Sequence, residues 1–355
     1  MKVGILTFPH SPSLGAMLQM RSLYHAVESM GHDVEIINYV SDKVNHQIKH
    51  KLTARSIVIK LLSFFFIKDA APSFKRFEEE LKMFPETPSF SEETLRAVER
   101  RYDRIIVGSD QVWNPVVTGN DMNFYLEFCN DVSKKASYAA SFGYTGVPSE
   151  DEARISELLG AFSYLGVRER QGAELVKKLT GRDASLVLDP TLLVDADYLR
   201  SLEGSVRRNK KYVLFYSIKP SPGLYQRAAE YAERYGLELV TIGCRMRERF
   251  DPRKHPAFGV GPKEFLRLVD DAECVFTNSF HGTAISVAMH TDFYVEFSSD
   301  TNSRLVNLTE MLGLTERIVD ENELTDKAVD YESVDVLLEK HKKYSADFLR
   351  TVLTE

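Results

Sequence analysis

An apolar run that ends in small polar residues and a His-Gly pair, Phe276-Thr277-Asn278-Ser279-Phe280-His281-Gly282-Thr283-Ala284, reads as a strand turning directly into a helix. Asn278 or Ser279 would cap that helix, Gly282 would let backbone approach a ligand, and His281 would stand where the helix dipole favours an anion. The competing reading is a histidine packed beneath a neighbouring loop. His290, at the far end of the same helix, reads as structural.

Other segments repeat the pattern of polar residues just past an apolar strand. In Val107-Gly108-Ser109-Asp110-Gln111-Val112-Trp113-Asn114-Pro115, Gly108 permits a tight turn and Asp110 and Gln111 are suited to bonding sugar hydroxyls. Trp113 is either an apolar platform for a sugar face or the anchor of a strand-to-helix loop. Gly166-Val167-Arg168-Glu169-Arg170 offers in Arg168 a guanidinium able to grip a carboxylate or phosphate bidentately, or else a charge paired within the protein. After the first strand, Phe8 to Gln19 holds Pro9, Pro12 and Gly15 before a helix opening at Ala16-Met17-Leu18-Gln19. It lacks G-x-G-x-x-G, and no G-x-x-x-x-G-K-S/T loop occurs elsewhere, which disfavours NAD and P-loop nucleotides.

The elements that must position these residues alternate along the chain. Short apolar runs at Val3–Phe8, Val34–Val40, Arg104–Val107, Lys135–Ala140 and Tyr164–Arg168 are separated by helical patterns, which predicts a parallel sheet with crossover helices. Leu186–Pro190 closes this half, and the polar, basic Gly204–Lys211 has the composition of a linker. A second series has strands at Tyr212–Ile218, Leu237–Ile242, Cys274–Asn278 and Phe293–Phe297, with helices at Ser221–Tyr235 and Pro262–Asp270. The expectation is therefore two Rossmann-like, doubly wound α/β domains, 1–204 and 205–332, with 333–355 as a closing amphipathic helix. Two such domains facing each other would bring strand ends and helix N-termini to one cleft.

Bulk properties narrow the partners. A chain of 355 residues suits two domains, and a formal charge of -7 argues against a general nucleic-acid binder, which needs a basic face. Cys129, Cys244 and Cys274 are odd in number and far apart, which indicates neither disulfides nor zinc and fits a reducing cytoplasm. The first residues read as a strand, not a signal peptide. The apolar run Ile57–Ile67 contains Lys60 and is too short to span a bilayer; with Lys49, Lys51, Arg55 and Lys68 around it, it leaves room for a peripheral contact with a membrane surface.

With these residues in hand, the chain resembles the polysaccharide pyruvyl transferase family. The matching pieces, in order, are Gly15-Ala16 with Leu18-Gln19, the Val107 to Pro115 motif, Ala139-Ala140-Ser141-Phe142-Gly143, Val167-Arg168-Glu169, Leu188-Asp189-Pro190-Thr191-Leu192-Leu193, Thr277 to Thr283, and Ser303-Arg304-Leu305. The resemblance implies a fold similar to glycosyltransferases of the GT-B type and transfer of a pyruvyl group from phosphoenolpyruvate, the donor substrate, to a saccharide acceptor, free or lipid-linked, in polysaccharide biosynthesis. It implies no metal and no bound cofactor, and a cytoplasmic protein that could work at the inner face of the membrane.

By the same resemblance His281 and Arg168 are the catalytic positions. Asn278, Ser279, Phe280, Gly282, Thr283 and Arg304 fall on the donor side, and Gly15, Gln19, Ser109, Asp110, Gln111, Trp113 and Asn114 on the acceptor side. Lys219, at the end of the strand Tyr212–Ile218, is read from its position as a further contact for the donor's phosphate. Protonating the methylene carbon of the enol phosphate would create an electron-poor centre for a sugar hydroxyl, and histidine can move that proton near neutral pH. Where the family often has Asp before Ser-Phe-His, this chain has Asn278, which leaves open whether residue 278 assists acid-base chemistry. Two alternatives remain at this point: a sugar-nucleotide-dependent glycosyltransferase on the same fold, and a non-catalytic saccharide-binding member of the family.

Overall fold

The computed structural model describes the chain except for residues 42–69, 90, 145, 207, 243–254, 258, 298–302, 320–323, 326 and 355. It divides into two compact units: Met1–Ala54, Glu78–Leu193 and Glu339–Glu355 form the first, and Arg55–Phe77 with Val194–Leu338 form the second.

The first unit is built on β1 (Lys2–Leu6), β2 (Asp33–Tyr39), β3 (Met83–Ser89), β4 (Arg104–Val107), β5 (Lys135–Ala140), β6 (Tyr164–Val167) and β7 (Ser185–Leu186). All are parallel and lie in the order 3-2-1-4-5-6-7. Apolar residues fill the central strands without alternation because helices cover both faces of such a sheet; Val3, Ile5 and Leu6 of β1 and Ile105, Ile106 and Val107 of β4 are fully buried. β1 pairs with β2 on one side and β4 on the other, so the winding reverses between β1 and β4. Loops that follow these two strands open at a topological switch point, the usual ligand position in open α/β sheets.

Strand β3, Met-Phe-Pro-Glu-Thr-Pro-Ser, is absent from the sequence expectation. Two prolines remove ladder donors, and the segment is tolerated because it occupies the sheet edge.

Glu35 of β2 ties together the opposite end of the sheet. Arg101 Nε and Nη2 donate to its two oxygens at 2.6 and 2.7 Å, Tyr102 Oη donates at 2.8 Å, and Lys2 Nζ lies at 3.0 Å. Burial pushes this carboxyl up, but the Arg101, Lys2 and Tyr102 contacts outweigh it and hold the group at about 2, below its ordinary 4.5. A depressed folded value means that the stabilisation is complete above 4.5 and is lost as pH falls through about 2. Glu35→Gln should therefore lower unfolding free energy by about 1–2 kcal/mol at pH 7. Urea titrations at a series of pH values should show that gap closing as the solution is acidified below 4.5; a constant gap would remove the ionised carboxylate as its cause.

The second unit has β8 (Tyr212–Tyr216), β9 (Glu238–Ile242), β10 (His255–Pro256), β11 (Cys274–Thr277) and β12 (Phe293–Val295), parallel and ordered 10-9-8-11-12. The same logic places its switch point between β8 and β11. The helix Pro222–Tyr235 follows β8, capped by Ser221 and ended by Gly236 in the left-handed region. The helix Phe280–Ala288 follows β11 and is buried along its whole length, as its high content of small and apolar residues requires.

The units do not divide where composition placed the linker. The helix Ala196–Ser201, expected in the first domain, belongs to the second: Arg200 Nε donates to Asp270 Oδ1 at 3.1 Å and Arg200 Nη2 to the Met289 carbonyl at 3.2 Å. The last helix, Tyr331–Thr354, begins in the second unit and continues, from Glu339, in the first. There Ser345 Oγ accepts the Leu188 N–H at 2.9 Å, and Leu349, Val352 and Leu353 are buried. The basic apolar stretch considered for membrane contact lies outside the described residues. Among the described residues no helix is long and apolar enough to cross a membrane.

Candidate functional site

In the second unit the Thr277–Thr283 segment lies at the carboxyl end of β11, at the switch point. Ser279 is the N-cap expected from its type. Its Oγ accepts the Gly282 N–H at 3.2 Å, and its carbonyl accepts the Thr283 N–H at 3.0 Å and Thr283 Oγ1 at 3.1 Å. His281 therefore falls in the first turn, 7% exposed, with its ring edge-on to Phe280 at 5.2 Å between centroids. The Arg304 guanidinium lies 5.9 Å from the centre of the Phe280 ring, a cation–π arrangement. His281, Phe280 and Arg304 thus form one contiguous group.

Gly282 serves packing. A Cβ there would overlap Thr277 Oγ1 and come within 3.1 Å of Tyr216 Cδ1. The glycine lets the helix seat against the ends of β8 and β11. Tyr216, not singled out from sequence, and Thr277 of the strand-end motif are the residues it packs on. Burial pushes the Tyr216 hydroxyl up to about 12, against a smaller opposing effect of its hydrogen bond with Ser279, so it remains a neutral donor at physiological pH.

Asn278 does not cap the helix. Its Oδ1 accepts the Ile218 N–H at 2.9 Å and its Nδ2 donates to the Lys219 carbonyl at 2.9 Å, which clamps the loop after β8. An amide both accepts and donates in this way, whereas a carboxylate only accepts. Asn278 is 4% exposed, and an aspartate would set a carboxylate against the Lys219 carbonyl oxygen. Asn278→Asp should cost about 1–3 kcal/mol of stability with no gain in activity; an unchanged denaturation midpoint would show that the amide donor is dispensable. The half-buried Lys219 is carried by this clamped loop.

In the first unit the structure gathers Ser109, Asp110, Arg168 and Asp189 at the carboxyl ends of the strands. Arg168 Nη1 donates to Asp189 Oδ2 at 2.7 Å, and its Nη2 lies 3.3 Å from Asp110 Oδ1. Ser109 Oγ also donates to Asp189 Oδ2 at 3.2 Å, while Thr191 N and Oγ1 bond Asp189 Oδ1 at 3.0 and 2.7 Å. Burial opposes the charge on Arg168, but Asp189, Asp110 and Glu169 more than restore it. The guanidinium is thus engaged by two carboxylates of its own unit, and the paired-charge reading of Arg168 is the one realised. Asp189, seen in sequence only as part of a family motif, is its partner.

Most of the acceptor-side residues turn inward. Trp113 is fully buried, stacked on Tyr125 with centroids 5.8 Å apart, and its Nε1 donates to the Phe124 carbonyl at 2.9 Å. It anchors the loop and offers no platform. Gln19 is also fully buried and donates to Thr7 Oγ1 at 3.2 Å, while Thr7 Oγ1 donates to the Ser109 carbonyl at 3.1 Å. Gly15 is buried in the first turn of the helix Leu14–Ser29. Asn114 caps a short helix through Val116 N at 2.9 Å and donates to Gln111 Oε1. Gly143, at φ +65°, lets this amide pair lie against the chain, since a Cβ would meet Gln111 Oε1 at 2.5 Å. Asp110 and Gln111 remain partly exposed.

Two doubly wound units, each with polar residues collected at its own switch point, define a chain of the GT-B class. UDP-GlcNAc 2-epimerases share this fold. The Methanocaldococcus jannaschii enzyme, solved in complex with UDP-GlcNAc and UDP, is 14% identical with a TM-score of 0.51, the match covering 100% of this chain and 99% of that one. The Neisseria meningitidis enzyme, bound to UDP-GlcNAc, is 9% identical with a TM-score of 0.52, covering 98% and 94%. No curated protein matches the chain. Residues 14–295 match the family model of polysaccharide pyruvyl transferase, and the chain belongs to that family. Membership makes it a transferase with a donor substrate and a saccharide acceptor.

Proposed function

We propose that the protein transfers the pyruvyl group of phosphoenolpyruvate to a saccharide and closes a cyclic ketal on two of its hydroxyls. The match of residues 14–295 to the family carries this reading. The Ser279-capped helix supports it, because its first turn combines a favourable dipole for an anion with a histidine. On this reading His281 delivers a proton to the methylene carbon, and Lys219 and Arg304 answer the donor's phosphate and carboxylate. The reaction would take place on the cytoplasmic side, on a free or lipid-linked glycan, without a metal or bound cofactor.

Incubation with phosphoenolpyruvate and a panel of hexosyl acceptors tests it. Inorganic phosphate should appear together with a pyruvylated sugar detected by mass; phosphate without that product, or neither, would overturn the reading. The fold shared with proteins that hold UDP-GlcNAc favours a second reading, a sugar-nucleotide-dependent transferase. That enzyme would be protected against heat by a nucleotide sugar and not by phosphoenolpyruvate. A non-catalytic saccharide-binding member of the family would instead bind saccharide without releasing phosphate.

A further inference from the structure

We propose that Asn278 is a positioning residue for the donor's phosphate: it holds the loop after β8 so that the Lys219 ammonium meets that phosphate. Every residue involved belongs to the second unit, and phosphoenolpyruvate as the source of the phosphate rests on the pyruvyl-transfer reading above. β8 and β11 pair in parallel with Tyr216 beside Thr277, so the residues that leave the two strands run side by side at the switch point. Asn278 bridges them with both ends of one amide. Its Oδ1 accepts the Ile218 N–H and its Nδ2 donates to the Lys219 carbonyl, each at 2.9 Å. Ser217 Oγ donates to the same carbonyl, so two donors fix that peptide plane.

Packing does not do this work. Ile218 is 56% exposed, so its side chain does not seat the loop in the core. Pro220 confines Lys219 to extended backbone, but the bonds to Asn278 set where that backbone lies relative to β11. The anchor is itself rigid: Asn278 is 4% exposed, and the N–H of the next residue, Ser279, donates to Thr277 Oγ1 at 3.0 Å.

The lysine so placed differs from those at the other end of the strand. Lys210 and Lys211, just before β8, lie 3.2 and 2.8 Å from Glu238 and Glu273. Among the described residues the half-buried Lys219 ammonium has no such carboxylate and no hydrogen bond. A cation without a counterion, at the carboxyl end of a strand where ligands bind in doubly wound sheets, is suited to an anion that the ligand brings. A loop ordered before the ligand arrives loses less freedom on binding, so the clamp on the Lys219 backbone is expressed as affinity.

Calorimetric titration of the full chain with phosphoenolpyruvate, inorganic phosphate and UDP-GlcNAc, beside thermal melts of each variant, tests the assignment. Lys219→Met should weaken phosphoenolpyruvate and phosphate roughly tenfold or more, the loss expected for a charge-assisted bond. Asn278→Ala should weaken both about fivefold or more when Lys219 is present, and by less than about twofold in the Lys219→Met background, because residues that act through one another are not additive. Asn278→Ser, whose hydroxyl both donates and accepts, should fall between wild type and alanine, and replaces alanine in the cycle if that variant does not fold. Equal losses from the residue 278 change in both backgrounds would make Asn278 a residue of the fold and overturn the assignment, as would unchanged phosphate affinity in Lys219→Met. The same coupling read with phosphate and UDP-GlcNAc, but no binding of phosphoenolpyruvate, would overturn pyruvyl transfer alone and leave the clamp standing. Wild-type protein that binds none of the three would overturn both.

Discussion

Replacing His281 with alanine should lower kcat for phosphate release by roughly 10²–10⁴-fold, the range spanned by loss of a general acid or base. The variant should remain folded, since the cap that starts the helix is built from Ser279, Gly282 and Thr283 and uses no atom of the histidine ring. Because the ring is 7% exposed, removing it leaves a small cavity, so His281→Gln is the companion variant that keeps volume while losing proton transfer. Steady-state assays beside far-ultraviolet circular dichroism separate the two effects. Near-normal turnover in both variants would remove His281 from the chemistry, whatever the family membership implies.

Arg168→Ala should have the largest effect on stability, about 3–5 kcal/mol, the cost of removing one partner from a buried ion pair. Read from sequence as a guanidinium able to grip the donor's carboxylate or phosphate, Arg168 would on removal mainly weaken donor binding. The structure redirects it, because Arg168 already holds Asp189 at 2.7 Å and Asp110 at 3.3 Å, and Asp189 is fully buried. Without the guanidinium a carboxylate is left uncompensated inside the protein, where desolvation of a bare charge is severe. Chemical denaturation should show the midpoint falling sharply, and Arg168→Lys should restore it only in part, since an ammonium cannot span both carboxylates as a planar fork does. A midpoint close to wild type in the alanine variant would mean that the pair contributes little to the fold and would reopen a direct role with the donor.

Sequence patterning gave the alternation of strands and helices well because it depends on local signals: apolar runs such as Ile105-Ile106-Val107, cap residues such as Ser221 and Ser279, and stop signals such as Gly236. β3 escaped notice because its two prolines contradict strand propensity, and only a place at the sheet edge makes them acceptable. The boundary between units was misplaced because composition marks exposed, polar chain, whereas unit membership follows contacts such as Arg200 with Asp270. Within the site, residue types disclosed that Trp113, Gln19 and Arg168 mattered. They did not disclose direction, since an aromatic, an amide or a guanidinium serves a ligand and a core equally well.

The Ser279 to Thr283 segment was legible from sequence as a capped helix start bearing a histidine after a buried strand, because capping and patterning act over a few neighbouring residues. Order and spacing of motifs were likewise enough for the family. What Asn278, Gly282 and Arg168 do was decided only in three dimensions. Each is defined by partners distant in the chain: Ile218 and Lys219 for Asn278, Tyr216 for Gly282, and Asp110 for Arg168. Parallel strands bring such segments together only after helical crossovers, and no local signal in the sequence records which hydrogen bonds they form when they meet.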